Sequence, residues 1–277
     1  MTDTLIPRVA ASEPEVLIAD PAKQRSRRER IIRVVSIVVT LLAWEVFGRR
    51  VNPLFMSYPT SILAAGLAMT QTGELPKALF ESLRTLCLGY AAAAIVGVGG
   101  GLVIGRYRSV EAAVDWLING LYATPLVALI PLVILWLGLG FPAKFFIVFL
   151  LAIFPILINT ITGVRNVNRA YIDVGVAFVA SERDIFRKII FPGSLPYIMA
   201  GLRLGIGRAI IGMVTAEFFT AIGGLGGLVV KYGNQFRTDQ MLVPVLILMF
   251  FGIALTGALH RAERAIAPWK VSEQASD

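Results

Sequence analysis

The segment YIDVGVAFVASERDIFRKIIFPGSLPYIMAGL, residues 171–202, is charged and half-apolar, while the chain on both sides of it is almost wholly apolar. Asn168 stands where it caps a helix running from Arg169 to about Val179. Ser181 and Asp184 have the spacing of a capping box, which starts a second helix from Glu182 to Ile190. In that helix Ile185 and Ile189 share a face, as do Phe186 and Ile190. Arg187 and Lys188 suit its C-terminal end. Pro192 and Pro196 are expected to break the chain before the next apolar run. The segment therefore reads as a helix–turn–helix with one apolar and one charged side. By itself this pattern leaves two readings open, a loop lying on lipid headgroups and a docking site for a soluble partner.

The flanks decide what kind of protein carries it. Of the 277 residues, 56% are hydrophobic and 16% are charged, and the mean hydropathy is +0.74. Soluble domains carry about 25% charged residues. A spanning helix needs about 20 apolar residues, and six such runs are found: Ile31 to Phe47, Ala78 to Ile104, Trp116 to Leu139, Lys144 to Thr162, Tyr197 to Ala221 and Met241 to Leu259. The fold class is thus an all-α integral membrane protein with about six spans. Residues 57–76 read as a short amphipathic helix outside the membrane. Pro59 and Thr60 start it, and TGELP stops it.

Charge placement orients the spans. Of the 26 lysines and arginines, seventeen fall on segments that face one side if the N-terminus is inside. Six fall on the opposite segments, and Arg84, Arg203 and Arg208 lie within spans. The excess puts both termini, and residues 165–196, in the cytoplasm. Residues 1–30 then form a cytoplasmic tail, 31–265 the transmembrane domain and 266–277 a second tail. Arg49 and Arg50 run against the rule. The net charge of +8 is accounted for by this asymmetry and does not call for nucleic acid.

The chemistry excluded is as informative. One cysteine, Cys87, and one histidine, His260, allow no intrachain disulfide and no Cys/His metal cluster. His260 lies at a helix end and makes a poor base for a catalytic triad. No glycine is followed by lysine, so the phosphate loop G-x-x-x-x-G-K-[ST] is absent. No catalytic residue, metal or cofactor is expected on this chain, and any ATP with its Mg²⁺ would sit on another subunit. Gly97, Gly101 and Gly105 recur at four-residue spacing, as do Gly201 and Gly205, which in lipid lets helices approach closely. Charges inside spans are costly and mark function. Arg84 and Glu217 lie at similar depth and are expected to approach each other or a shared watery cavity. Arg208, nearer mid-membrane, is the better candidate for a pathway wall, with Arg84, Glu217, Pro125 and Pro131 as further candidates.

The central segment resembles the EAA loop of ABC importer permease subunits. In that family E-A-A, three residues, G, nine residues and I-x-L-P build a coupling helix that enters a groove of a cytoplasmic ATPase. Asp173 matches the acidic position, Gly175 the second small residue, and Ile189 and Pro192 the closing residues, with Phe191 in place of leucine. Ala180, Ser181 and Phe186 fall inside the same unit. The likeness is closest to the nitrate/sulfonate/taurine branch. It extends through MSYPTSIL, ATPLVALIPLVILWLGLG with Pro125 and Pro131, FPILINTITGVRNV, AEFFTAIGGLGGLV and APWK. The resemblance implies a type I importer permease fold in the bacterial inner membrane. It also implies a second copy of the permease, two cytoplasmic ATPases and an extracytoplasmic solute-binding protein. Transport of a small solute, such as the sulfonate or nitrate anion, follows. A self-contained secondary transporter or channel is the alternative.

Val179 departs from the family pattern, which has glycine there. Glycine in such a turn marks positive φ or close backbone approach, and a β-branched residue at positive φ is an outlier. The expectation is that Val179 stays right-handed helical and that Ala180 and Ser181 make the turn.

Overall fold

The computed structural model describes residues 21–266, so the tails at 1–20 and 267–277, with the APWK match, lie outside the described residues. Among the described residues the chain is all helical. The helices are α1 (Pro21–Gly48), α2 (Pro59–Gln71), α3 (Glu74–Arg106), α4 (Arg108–Ala123) and α5 (Ile130–Leu137). They continue with α6 (Phe141–Arg165), α7 (Arg169–Ala177), α8 (Glu182–Ile185), α9 (Phe191–Thr220), α10 (Gly224–Asn234) and α11 (Thr238–Ile266). Five stretches are long and apolar enough to cross a membrane, and a sixth is so if α4 and α5 count as one span.

The α6 helix is the centre of the structure, packed between α3 and α9. Small residues make this possible. A Cβ added at Gly97, Gly101 or Gly105 of α3 would lie within 2.9 Å of Ile156, Thr160 or Val164 of α6. At Gly201 and Gly205 of α9 it would meet Asn159 and Ile156 of the same helix at 2.8 Å or less. The four-residue glycine spacing is therefore a packing device, as read. Leu86, Ala93, Val148, Ala152, Ile156, Ala209 and Met213 fill the space between the three helices. The Tyr90 hydroxyl donates to the Leu202 carbonyl at 2.9 Å and ties α3 directly to α9.

Three expectations change. The third span is not one helix: α4 meets the segment Leu126–Leu137, a 3₁₀ turn running into α5, at 85° across a break at Thr124 and Pro125. Pro125 and Pro131 flank that turn. Proline lacks an N–H, so Pro125 cannot continue the α4 ladder and the bend has an identifiable cause, while Pro131 falls in the first turn of α5. Second, Pro192 and Pro196 do not break the chain. The helix runs without a stop from Glu182 to Thr220 through a π-helical turn at Phe186–Ile190. In that turn the Phe191 N–H reaches the Phe186 carbonyl. The widened ladder absorbs prolines that an α-helical ladder would reject. Third, α2 ends at Gln71 with Gly73 at φ +76°, and Glu74 already belongs to α3 rather than to the stop.

Arg49, out of place by the charge rule, is held locally. It bonds Glu45 at 2.7 Å and Thr60 at 3.2 Å and lies over the Tyr58 ring. The Glu45 carboxylate also accepts from the Thr60 N–H and hydroxyl, so α1 is stitched to the start of α2.

Candidate functional site

The central segment forms the compact pair that its sequence predicts. The Asn168 carboxamide accepts from the Ala170 N–H at 3.0 Å. The Ser181 hydroxyl accepts from the Asp184 N–H at 3.2 Å and donates to the Asp184 carboxylate at 2.6 Å. Gly175 is the contact point between the two helices: a Cβ there would sit 2.9 Å from Ile189 and 3.3 Å from Ile185. Ile185 and Ile190 are buried with Val164 and Val167 at the C-terminal end of α6, with Ile172, Ala180, Phe186, Ile189 and Leu102 packed around them. The pair is thus moored to α3 and α6 by one face.

Its other face is open. Tyr171, Val174, Val176, Phe178 and Val179 are exposed, the last two by 82% and 91%. Asp173 is on the same exposed side of α7. A soluble surface seldom presents such a run of large apolar residues without a partner.

Val179 overturns the expectation set for it. Its φ is +55°, in the left-handed region. The reason is in the hydrogen bonds. The α7 helix ends at Ala177, and the Val179 N–H returns to the Val176 carbonyl at 2.9 Å. The Ala180 N–H returns to the Gly175 carbonyl at 3.0 Å. This 6→1 and 5→2 pair is the Schellman ending of a helix, and it requires a left-handed residue between. The same pair recurs at the end of α10, where Phe236 is at φ +54° with Phe236 N–H to Gly233 O and Arg237 N–H to Tyr232 O. Two satisfied carbonyls and the packing of Ala180 outweigh the strain of a β-branched residue, roughly 1–2 kcal/mol.

The intramembrane residues are arranged differently from the sequence expectation. Arg84 does not approach Glu217; its guanidinium lies over the Phe141 ring at 4.6 Å. Glu217 is fully buried and accepts from the Ser82 hydroxyl at 2.7 Å and the Gly226 N–H at 2.8 Å. Ser82 accepts in turn from the Leu225 N–H at 2.8 Å, and Glu81 accepts from the Gly224 N–H at 2.9 Å. The first N–H groups of α10 are therefore held by two carboxylates and a hydroxyl from α3 and α9. Unpaired N–H groups and the positive helix end both favour this. Gly224, at φ +77°, must be glycine because a Cβ would overlap the Glu217 carboxylate. Glu217 is thus a structural clamp. Buried Lys144 completes it from α6, donating to the Ile222 carbonyl. Sequence reading named Lys144 as the start of a span and passed over Glu81 and Ser82. These residues are separated by 78 to 143 positions from their partners, and no local spacing signals them.

Arg208 is on the exposed face of α9 with Leu204 and Ile211, away from α6. Pro125 and Pro131, both exposed, mark the α4–α5 corner. Arg84 and Arg208 are exposed, whereas Glu217 has no exposed surface. Among the described residues there is no group of three metal-binding side chains.

Residues 89–270 match the family described as binding-protein-dependent transport system inner membrane component. A putative ABC transporter permease protein of Methanocaldococcus jannaschii is 30% identical over 249 residues, covering 88% of this chain and 93% of its own. The taurine transport system permease protein of Escherichia coli is 27% identical over 249 residues, covering 87% and 90%. Among solved structures, an inward-facing methionine ABC transporter chain superposes with a TM-score of 0.57 at 18% identity, over 71% of this chain and 98% of that one. The structural likeness carries the fold.

Proposed function

Because the chain belongs to the binding-protein-dependent transport system inner membrane component family, and so is a permease subunit of an ABC importer, we propose how it works and on what. A separate cytoplasmic ATPase docks on the open face of the α7–α8 pair. The observation that carries this is the run of exposed apolar side chains, Val174, Val176, Phe178 and Val179, on a segment whose opposite face is buried. Asp173 and Asp184 supply the polar rim of that contact, as interfaces need. Gly175, Ala180, Ser181, Phe186, Ile189 and Pro192 act behind it, holding the pair in shape.

The continuous helix from Glu182 to Thr220 supports direct transmission. When ATP closes the two ATPases, movement of the pair passes along α9 without a hinge at the prolines. Two copies of the permease face each other across a central path, with both termini cytoplasmic and a binding protein delivering solute from outside. Arg208 faces that path, since an exposed charge within a span needs water or a counter-ion. Arg84 is placed near its outer mouth. The pathway cations and the taurine-transporting relative favour a small anion, a sulfonate or nitrate.

Reconstitution tests this. Proteoliposomes holding the chain, its ATPase and its binding protein are expected to accumulate the anion only with ATP. Flux of the anion through vesicles holding the chain alone would overturn the reading in favour of a self-contained transporter.

A further inference from the structure

A cavity of about 390 Å³ lies where the last turn of α3 meets the start of α8, and the coupling role does not account for it. Leu102, Val103 and Phe186 line one part; Arg106, Tyr107, Arg183 and Glu182 line the rest. We infer that this cavity holds the phosphate and upper acyl chain of an anionic phospholipid of the cytoplasmic leaflet. The inference rests on the orientation proposed above.

The lining has the polarity of a lipid rather than of a free anion. The two guanidinium groups stand at the end of a spanning helix, and the apolar residues continue from them into that helix. Val103 and Tyr107 are each about half exposed, at 52% and 54%. Exposed tyrosine at the end of a span is an interfacial residue. Arg106 pairs with Glu182 at 3.2 Å, but Glu182 is 87% exposed, so the pair contributes little. A phosphate diester would replace Glu182 as the partner of Arg106. Basic pockets between helices on this side are suited to anionic headgroups. An occupant here touches α3 and the coupling pair together, so it would stiffen the joint that passes ATPase movement into the membrane.

Native mass spectrometry of the full-length chain, released from nanodiscs of equal phosphatidylcholine and phosphatidylglycerol, tests this directly. The wild type is expected to retain one phosphatidylglycerol per chain in preference to phosphatidylcholine. The double variant Arg106→Gln/Arg183→Gln should weaken that retention about thirty-fold, given the usual contribution of an interfacial arginine. The control Arg108→Gln/Arg261→Gln, with the same loss of charge, should change it less than about three-fold. Glu182→Gln, which frees Arg106, should raise retention. Equal losses in both double variants would overturn the site in favour of general charge attraction. Displacement of the lipid by millimolar inorganic phosphate would overturn the choice of lipid over free anion. Retention is read without transport, so its failure is distinct from a failure of the reconstitution above.

Discussion

Replacing Val179 by glycine isolates the strain at the tip of the α7–α8 pair. Val179 is 91% exposed at φ +55°, so its side chain has almost no packing to lose within the chain. A left-handed conformation costs an L-residue roughly 1–2 kcal/mol. Glycine removes that cost but brings a more flexible unfolded chain, which takes back about 0.4–1 kcal/mol. The net gain should be about 0.7 kcal/mol, or about a three-fold change in the local opening equilibrium. Hydrogen exchange of the full-length chain in nanodiscs reads this at the Ala180 amide, which is bonded to the Gly175 carbonyl. Corrected for intrinsic rates, Val179→Gly should slow exchange there about three-fold. Val179→Asn should slow it less, since asparagine tolerates this region better than valine but worse than glycine. Val179→Pro should abolish protection, because proline cannot reach positive φ and has no N–H for the Val176 carbonyl. Unchanged or faster exchange in the glycine variant would refute the argument that the hydrogen bonds hold valine in a strained state.

Other substitutions probe the packing, the clamp and the path. Gly101→Leu should prevent folded protein from being recovered, whereas Gly99→Leu, which meets nothing within 4 Å, should elute and melt like the wild type. Ser82→Ala leaves the Leu225 N–H and one Glu217 oxygen without their bond, and should lower stability by about 1–3 kcal/mol, seen as a reduced melting temperature in detergent. Gly175→Val pushes against Ile189 and Ile185. It should cut ATP-driven uptake while leaving the melting temperature of the α3–α6–α9 core within a few degrees. Arg208→Gln should lower anion uptake at unchanged melting temperature, because the exposed guanidinium supports no described contact in the fold.

The sequence made the spans, the short α2 helix and the α7–α8 pair legible, because each rests on local periodicity and capping. It misplaced what depends on distant or competing contacts. The bend between α4 and α5 is invisible to hydropathy, although Pro125 and Pro131 mark where it falls. The prolines after α8 read as breakers because the widened turn at Phe186–Ile190 leaves no compositional trace. Val179 was expected at negative φ from its own preference. Two carbonyls of α7 and the need to bring Ile185 and Ile189 onto Gly175 overrode that preference. Glu217 suggested a partner for Arg84 by depth alone, but the N–H groups of α10 were closer and unpaired.

The central claim is that a separate ATPase engages the open face of the α7–α8 pair. Binding of the purified ATPase to the chain in nanodiscs measures this directly, with Phe178→Asp as the perturbation. Phe178 is 82% exposed, so the substitution spares the fold. If the side chain is buried at the contact, its loss together with the desolvated charge should weaken binding at least ten-fold. Binding as tight as that of the wild type would contradict the account.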